Sequence, residues 1–343
     1  MEKYLIMGAG NQAFAMASHI VQNGDMVNIW NIREESIKKI CNTKQIHCTG
    51  IIDNVFTIHE ASTNIDDVIC DTILISTPAV AHKTLARVLA KKVSSKNTIL
   101  LSPGRTFGVI EFTEELKKNG CKSLPKIAEL QTILYTCRKI NEDTVHLFAL
   151  KDNVAISSIE NNLDEILNAL PKCMTTRLKK AESFVETSLG NVGMILHCAP
   201  VLLNIGWIES SQDFKYYKEG ISESVSKVVE KLDQERLFIA EKLGYPIESV
   251  SDWMKRIYYC DGDNLHEVIQ SNKYYEDILA PTAIDYRYLN EDIPFGLVPL
   301  ESVAKDLNIE LPLTTLLIDL ANIIMEKDYR KEGRMITIHD YLK

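Results

Sequence analysis

The 343-residue sequence has no C-x-x-C pair: Cys41, Cys48, Cys70, Cys121, Cys137, Cys173, Cys198 and Cys260 never lie closer than seven positions apart. That spacing excludes the common zinc-ribbon and thioredoxin-type patterns and leaves reduced thiols in a cytoplasmic protein as the simplest reading. Cys41, His47 and Cys48 are close neighbours but match no familiar zinc spacing, so no metal is expected. Positive charge is in deficit, 38 Lys and Arg against 47 Asp and Glu, a net charge of −9. Nucleic acid and anionic membrane are therefore poor default partners, and small molecules are better ones. Long hydrophobic runs are missing too. The stretch from Val192 to Ile208 is broken by His197, Pro200 and Asn204, and that from Leu311 to Met325 by Asp319, so neither is expected to span a bilayer. Met1 to Gly10 has no basic segment followed by an apolar one and reads as a first strand rather than a targeting signal.

What is present is ordinary globular composition, 45% hydrophobic and 25% charged, in a chain long enough for two domains or even three. Short apolar runs at Tyr4–Met7, Val27–Trp30, Thr72–Ser76, Thr98–Leu101, Ile127–Leu130 and Val154–Ser157 are expected strands. Helix-like stretches at Gln12–Val21, Val80–Lys91 and Val109–Lys118 separate them, the pattern of a parallel, doubly wound α/β sheet. Beyond Lys180 the strand signals fade, and Ser222–Leu243 and Leu313–Glu326 read as long helices, with breakers at Gly244, Pro246 and Pro312. No linker or repeat marks the join. The change of pattern puts it near Arg177–Lys180, giving an α/β domain over 1–180 and a mostly helical one over 181–343.

The first strand runs into Gly8-Ala9-Gly10-Asn11-Gln12-Ala13 and then a helix, a G-x-G-x-x-A match placed where a Rossmann-type dinucleotide fold needs it. Gly8 permits the tight turn, Gly10 lets backbone amides approach a pyrophosphate, and Ala13 allows close helix–sheet contact. The helix N-terminus adds partial positive charge. The second strand ends at Asn31 instead of the Asp or Glu that an NAD-preferring fold usually places there. Asn31 can donate to a 2′-phosphate and Arg33 can pair with it, so NADP(H) is favoured and NAD(H) is the alternative, with Arg33 then a solvated charge beside Glu34 and Glu35. Pro78 and Gly104, which follow two later strands, complete the expected cofactor contacts. A glycine at 104 gives the nicotinamide end close access to backbone.

Five segments together carry a resemblance. They are the glycine motif; Leu101-Ser102-Pro103-Gly104-Arg105-Thr106 running into Glu111-Phe112; Ile127-Ala128-Glu129-Leu130-Gln131-Thr132 up to Cys137-Arg138; and, in the second half, the stretches around His197 and Asp292. With these the sequence resembles the opine dehydrogenase family, the NAD(P)-dependent octopine and nopaline type. The resemblance implies reductive joining of an amino acid's amine to a 2-oxo acid in a cleft between two domains. It also implies the site residues. Asn191 to Pro200 matches the family's histidine segment, making His197 the catalytic histidine, and Asp285 to Gly296 matches the segment that supplies Arg287 and Asp292. Cys198 and Ala199 before Pro200, and Phe107 where glycine is common, depart from the family pattern.

The chemistry suits those residue types. A guanidinium holds a carboxylate in a two-bond fork, so Arg287 can orient a 2-oxo acid, pyruvate by default. His197 can exchange a proton near neutral pH while the amine adds, water leaves and hydride arrives. Asp292 would fix its tautomer. A structural Arg287–Asp292 ion pair is the plainer alternative. Trp207, Trp253, Tyr258-Tyr259 and Tyr274-Tyr275 are read as buried packing rather than as site residues. Two rival functions fit the same residues: a carbonyl reductase of the ketopantoate reductase type, which needs no amine, and a dinucleotide-binding sensor without turnover. A homodimer is compatible with the apolar helical faces, and neither the amino acid nor the stereochemistry is legible.

Overall fold

The computed structural model describes residues 1–210 and 212–342 and divides into two compact units, Met1–Ser188 and Leu189–Lys343. The first holds twelve strands: β1 (Lys3–Met7), β2 (Met26–Trp30), β3 (Gln45–Gly50), β4 (Asn54–Thr57), β5 (Glu60–Ser62), β6 (Thr72–Ile75), β7 (Thr98–Leu101), β8 (Lys126–Leu130), β9 (Tyr135–Lys139), β10 (Thr144–Leu150), β11 (Val154–Ser158) and β12 (Leu178–Lys180). Eight form one sheet in the order β12-β11-β8-β7-β6-β1-β2-β5. Every neighbour pair is parallel except β11 against β8. Its central strands are covered on both faces, which is why Leu5-Ile6-Met7, Ile73-Leu74-Ile75 and Ile99-Leu100-Leu101 are continuous apolar runs without alternation. The strand order reverses between β1 and β6, and the carboxyl ends of these two strands open the crevice where doubly wound sheets bind ligands.

The doubly wound sheet is as expected, but a second, four-stranded sheet in the order β4-β3-β10-β9 was not. The first helix, α1 (Asn11–Gln22), packs on both sheets. Phe14, Met16, Ala17 and Ile20 share one apolar cluster with Ile46, Phe56, Val145 and Leu147. Every residue of α1 from Ala13 to Ile20 is buried, so the helix has no polar face. Two further helices, α2 (His82–Leu89) and α3 (Gly108–Lys118), complete the α/β winding.

Burying α1 on all sides has a titratable consequence. His19 is 7% exposed, its Nδ1 lies 3.2 Å from Tyr135 Oη, and burial, with help from the Arg177 charge, pulls its pKa down from 6.5 to about 4. Below pH 6.5 the unfolded chain binds a proton that the native chain refuses, so stability is full above that pH and falls as pH drops toward 4. Urea unfolding at pH 7.5 and pH 5 should show His19→Gln losing roughly 1 to 2 kcal/mol less than the wild-type protein across that interval. Equal losses would remove His19 as the cause.

The second unit is helical. Its helix α4 (Gly193–Leu203) is buried over most of its length and packs on α5 (Glu223–Lys242), which starts where the Ser222 hydroxyl accepts from the Val225 N–H. A single wide turn over Ile293–Leu297, closed by Leu297 N–H to the Asp292 carbonyl at 3.1 Å, leads into α6 (Val298–Asp306). Helix α7 (Pro312–Met325) opens on Pro312, where the missing N–H costs nothing. Gly296 lies in the wide turn, and a Cβ there would stand 2.6 Å from Met194 Cβ. Only glycine lets the turn lie this close to α4, which carries His197.

Candidate functional site

Met7, Trp30 and Ile75 are in register at the carboxyl ends of β1, β2 and β6, and the glycine loop springs from this edge. Gly8 has a φ of +132°, and a Cβ there would sit 2.6 Å from the Ser76 carbonyl oxygen, so the turn requires glycine. Gly10 has nothing within 4 Å of where its Cβ would be. It is also the N-cap of α1, with no side-chain cap and no acidic residue in the first turn. An open approach to the uncapped end of a buried helix is the cradle a pyrophosphate fits. Gln12 braces it, donating from Nε2 to the Ser102 carbonyl at 2.5 Å.

The other expected cofactor residues are distributed around this edge. Ala13 is fully buried against the sheet. Asn11 spends its Oδ1 on the Lys139 N–H at 3.0 Å, leaving its backbone amide at the helix start. Asn31 follows β2 and accepts the Arg33 N–H at 2.9 Å, forming a turn that leaves Arg33 exposed. Pro78 follows β6 and starts a short 3-10 turn over Ala79–Ala81.

Gly104 lies against a carboxylate that was not among the expected site residues. Glu129, in β8, is fully buried, and its oxygens accept from the Val109 N–H at 2.9 Å and from the Thr187 and Ser188 hydroxyls at 2.8 and 2.7 Å. A Cβ on Gly104 would stand 2.1 Å from Glu129 Oε2. Two motifs that carried the resemblance are thus in direct contact, the carboxylate of the second supporting the turn of the first. Arg105 adopts a φ of +61° in the same turn.

In the second unit the wide turn brings Asp292 to His197: Oδ2 lies 2.7 Å from Nδ1, with Asp292 1% exposed and His197 17% exposed. The carboxylate is placed to accept the Nδ1 proton, which leaves Nε2 on the other side of the ring. Nε2 faces Tyr217 Oη at 3.4 Å, and the Tyr288 ring stacks on the imidazole at 3.8 Å. Burial, reinforced by neighbouring acidic groups, keeps the Tyr217 phenol far above its ordinary range, so it stays protonated. Neither tyrosine was expected in the site.

Arg287 is near Asp292 in sequence but pairs with Glu291: Nη2 to Glu291 Oε2 is 3.0 Å, and the side chain is 56% exposed. That leaves a guanidinium accessible to a carboxylate ligand. The aromatic residues differ from the expected packing. Tyr259 and Tyr274 are 90% and 71% exposed, and Tyr259 adopts a φ of +55°. Tyr275 stacks on Tyr217 at 4.1 Å and so buttresses the histidine at one remove. Trp207 stacks on Phe214 and Trp253 meets Tyr258 edge-on.

Comparison with known proteins bears directly on this arrangement. Residues 180–325 match the family profile described as NAD/NADP octopine/nopaline dehydrogenase, alpha-helical domain. An opine dehydrogenase of Arthrobacter sp. (strain 1C) is 32% identical over 342 residues, spanning 97% of this chain and 93% of that protein. The chain belongs to the opine dehydrogenase family. As a member it is an NAD(P)-dependent oxidoreductase that acts on CH–NH bonds. Opine dehydrogenase architecture is also evident in solved structures. An octopine dehydrogenase with NADH and L-arginine superposes with a TM-score of 0.79 at 17% identity, over 95% of this chain and 90% of that one. A yersinopine dehydrogenase with NADP+ gives 0.75 at 13%, over 97% and 93%. Among the described residues, no helix is long and apolar enough to cross a membrane, and no group of three His, Cys, Asp or Glu side chains is placed to hold a metal.

Proposed function

We propose that this opine dehydrogenase condenses an amino acid with a small 2-oxo acid, pyruvate by default, and reduces the resulting imine with NADPH. The observation that carries the reading is the His197–Asp292 pair, with one imidazole nitrogen fixed by a buried carboxylate and the other left for proton exchange. Arg287 takes the 2-oxo acid carboxylate. His197 Nε2 removes a proton from the attacking amine, then returns one to the carbinolamine hydroxyl as it leaves as water. The dinucleotide supplies hydride to the imine carbon. Tyr217, protonated and beside Nε2, limits the directions from which the imidazole exchanges its proton.

Purified protein with NADPH and pyruvate, tested against single amino acids, should oxidise NADPH only when both the amine and the oxo acid are present. Oxidation without amine would replace this reading with a carbonyl reductase. No oxidation with any oxo acid, despite cofactor binding, would replace it with a sensor.

The preference for NADPH rests on Asn31 and Arg33. No carboxylate ends β2 to repel a 2′-phosphate, and Arg33 is exposed beyond it. Arg33→Ala should lower the NADPH to NADH ratio of kcat/KM by about tenfold, as expected for loss of one charge-assisted contact. An unchanged ratio would remove Arg33 from cofactor choice.

A further inference from the structure

Lys139, the last residue of β9, delivers its charge to an unusual place. Its backbone N–H donates to Asn11 Oδ1 at 3.0 Å, its ammonium donates to the Ala9 carbonyl at 3.1 Å, and Nζ lies 4.2 Å from the centre of the Phe14 ring. Ala9, Asn11 and Phe14 belong to the glycine loop and the first turn of α1. The second sheet thus lays an edge strand along the dinucleotide loop and ends it in a cation.

That cation is at the unfavourable end of a helix. The N-terminus of α1 carries uncapped N–H groups and partial positive charge, which favours anions and disfavours ammonium groups. Partial burial adds a second cost and holds the Lys139 pKa below the ordinary lysine value. Compensation within the protein is thin. Glu142 and Asp143, on the turn after β9, attract the ammonium through space, but Asp143 is already paired with Lys39 at 2.9 Å. Among the described residues no carboxylate lies within ion-pair distance of Lys139, whose one direct acceptor is a neutral carbonyl. Packing does not explain a lysine here, since a methionine would cover the Phe14 ring without desolvating a charge. Local arrangements that oppose stability are characteristic of ligand sites, where the ligand supplies the missing partner.

We propose that Lys139 is a pyrophosphate-binding residue, its ammonium supplying the counter-charge for the diphosphate of the dinucleotide held at Gly8–Ala13. The inference rests on dinucleotide binding at that loop and adds a residue outside the glycine motif, presented by the second sheet. The motif itself offers only dipoles. Lys139 gives the site a full positive charge and makes phosphate recognition depend on how β9 is seated against α1.

The test is calorimetric binding of adenosine, ADP and NADH to wild-type protein, Lys139→Met and Lys139→Arg, with melting temperatures recorded alongside. Lys139→Met should weaken ADP and NADH about tenfold and leave adenosine, which has no phosphate, within twofold. Lys139→Arg should recover most of the loss. If ADP binds Lys139→Met within twofold of wild type, the proposal is overturned while dinucleotide binding stands. Adenosine weakened as much as ADP would also overturn it, by making Lys139 a packing residue of the loop. Wild-type protein that bound none of NADPH, NADH and ADP would overturn the dinucleotide reading itself, and this inference with it.

Discussion

Replacing His197 with glutamine is expected to lower kcat by about three orders of magnitude while the dissociation constant for NADPH stays within twofold. The imidazole is held in a fixed orientation: Asp292 lies 2.7 Å from Nδ1, Tyr288 covers one face, and Nε2 remains. Glutamine keeps much of the volume and can still donate an N–H toward Asp292, so the buried carboxylate is not stranded, but an amide does not titrate. The loss should therefore appear in turnover and not in melting temperature. Asp292→Asn tests the other half of the pair. It replaces the carboxylate with an amide whose NH2 can donate to Nδ1 and select the other tautomer, and the expected result is a comparable fall in kcat with His197 still in place. A His197→Gln protein that binds NADPH and turns over at the wild-type rate would dismantle the proposed mechanism.

How far these features were legible in the sequence follows from how each residue is buried. Strands β1, β6 and β7 were readable because both faces are covered and their apolar residues run unbroken. The second sheet was not. It buries one face, so β3 contributes only Ile46 and Cys48 inward and β10 only Val145 and Leu147, while Val55 and Phe148 point to solvent and blur the alternation. Glu129 was visible as part of a motif, yet a single carboxylate in a strand-like run does not announce that it is buried against a glycine twenty-five positions earlier in the sequence. The helical segment containing His197 was placed by resemblance. Tyr217, which faces the same imidazole, had no periodicity or spacing linking it to position 197, because the contact is made by tertiary packing across a break between helices. Lys139 was hidden for the same reason as its sheet.

Two glycine substitutions should separate the structural from the binding use of glycine in the first unit. Gly104→Ala is expected to destabilise the protein by about 3 kcal/mol or more, lowering Tm by roughly 10 °C, because the new methyl collides with Glu129 and the carboxylate has nowhere to go. Its oxygens are held by Val109, Thr187 and Ser188, and displacing it strands those buried donors. Gly10→Ala is expected to do the opposite. Its φ of −89° suits alanine and nothing lies within 4 Å of the new Cβ, so Tm should change by no more than a few degrees. The methyl instead occupies the space through which a pyrophosphate reaches the N–H groups of α1, and the NADPH dissociation constant should rise at least tenfold. Calorimetry and thermal unfolding of the two variants give a crossed pattern if the assignments hold, stability lost in one and affinity in the other. A Gly10→Ala protein that keeps wild-type affinity would move the pyrophosphate away from the first turn of α1. A Gly104→Ala protein as stable as wild type would mean that Glu129 does not hold the Gly104 turn in place.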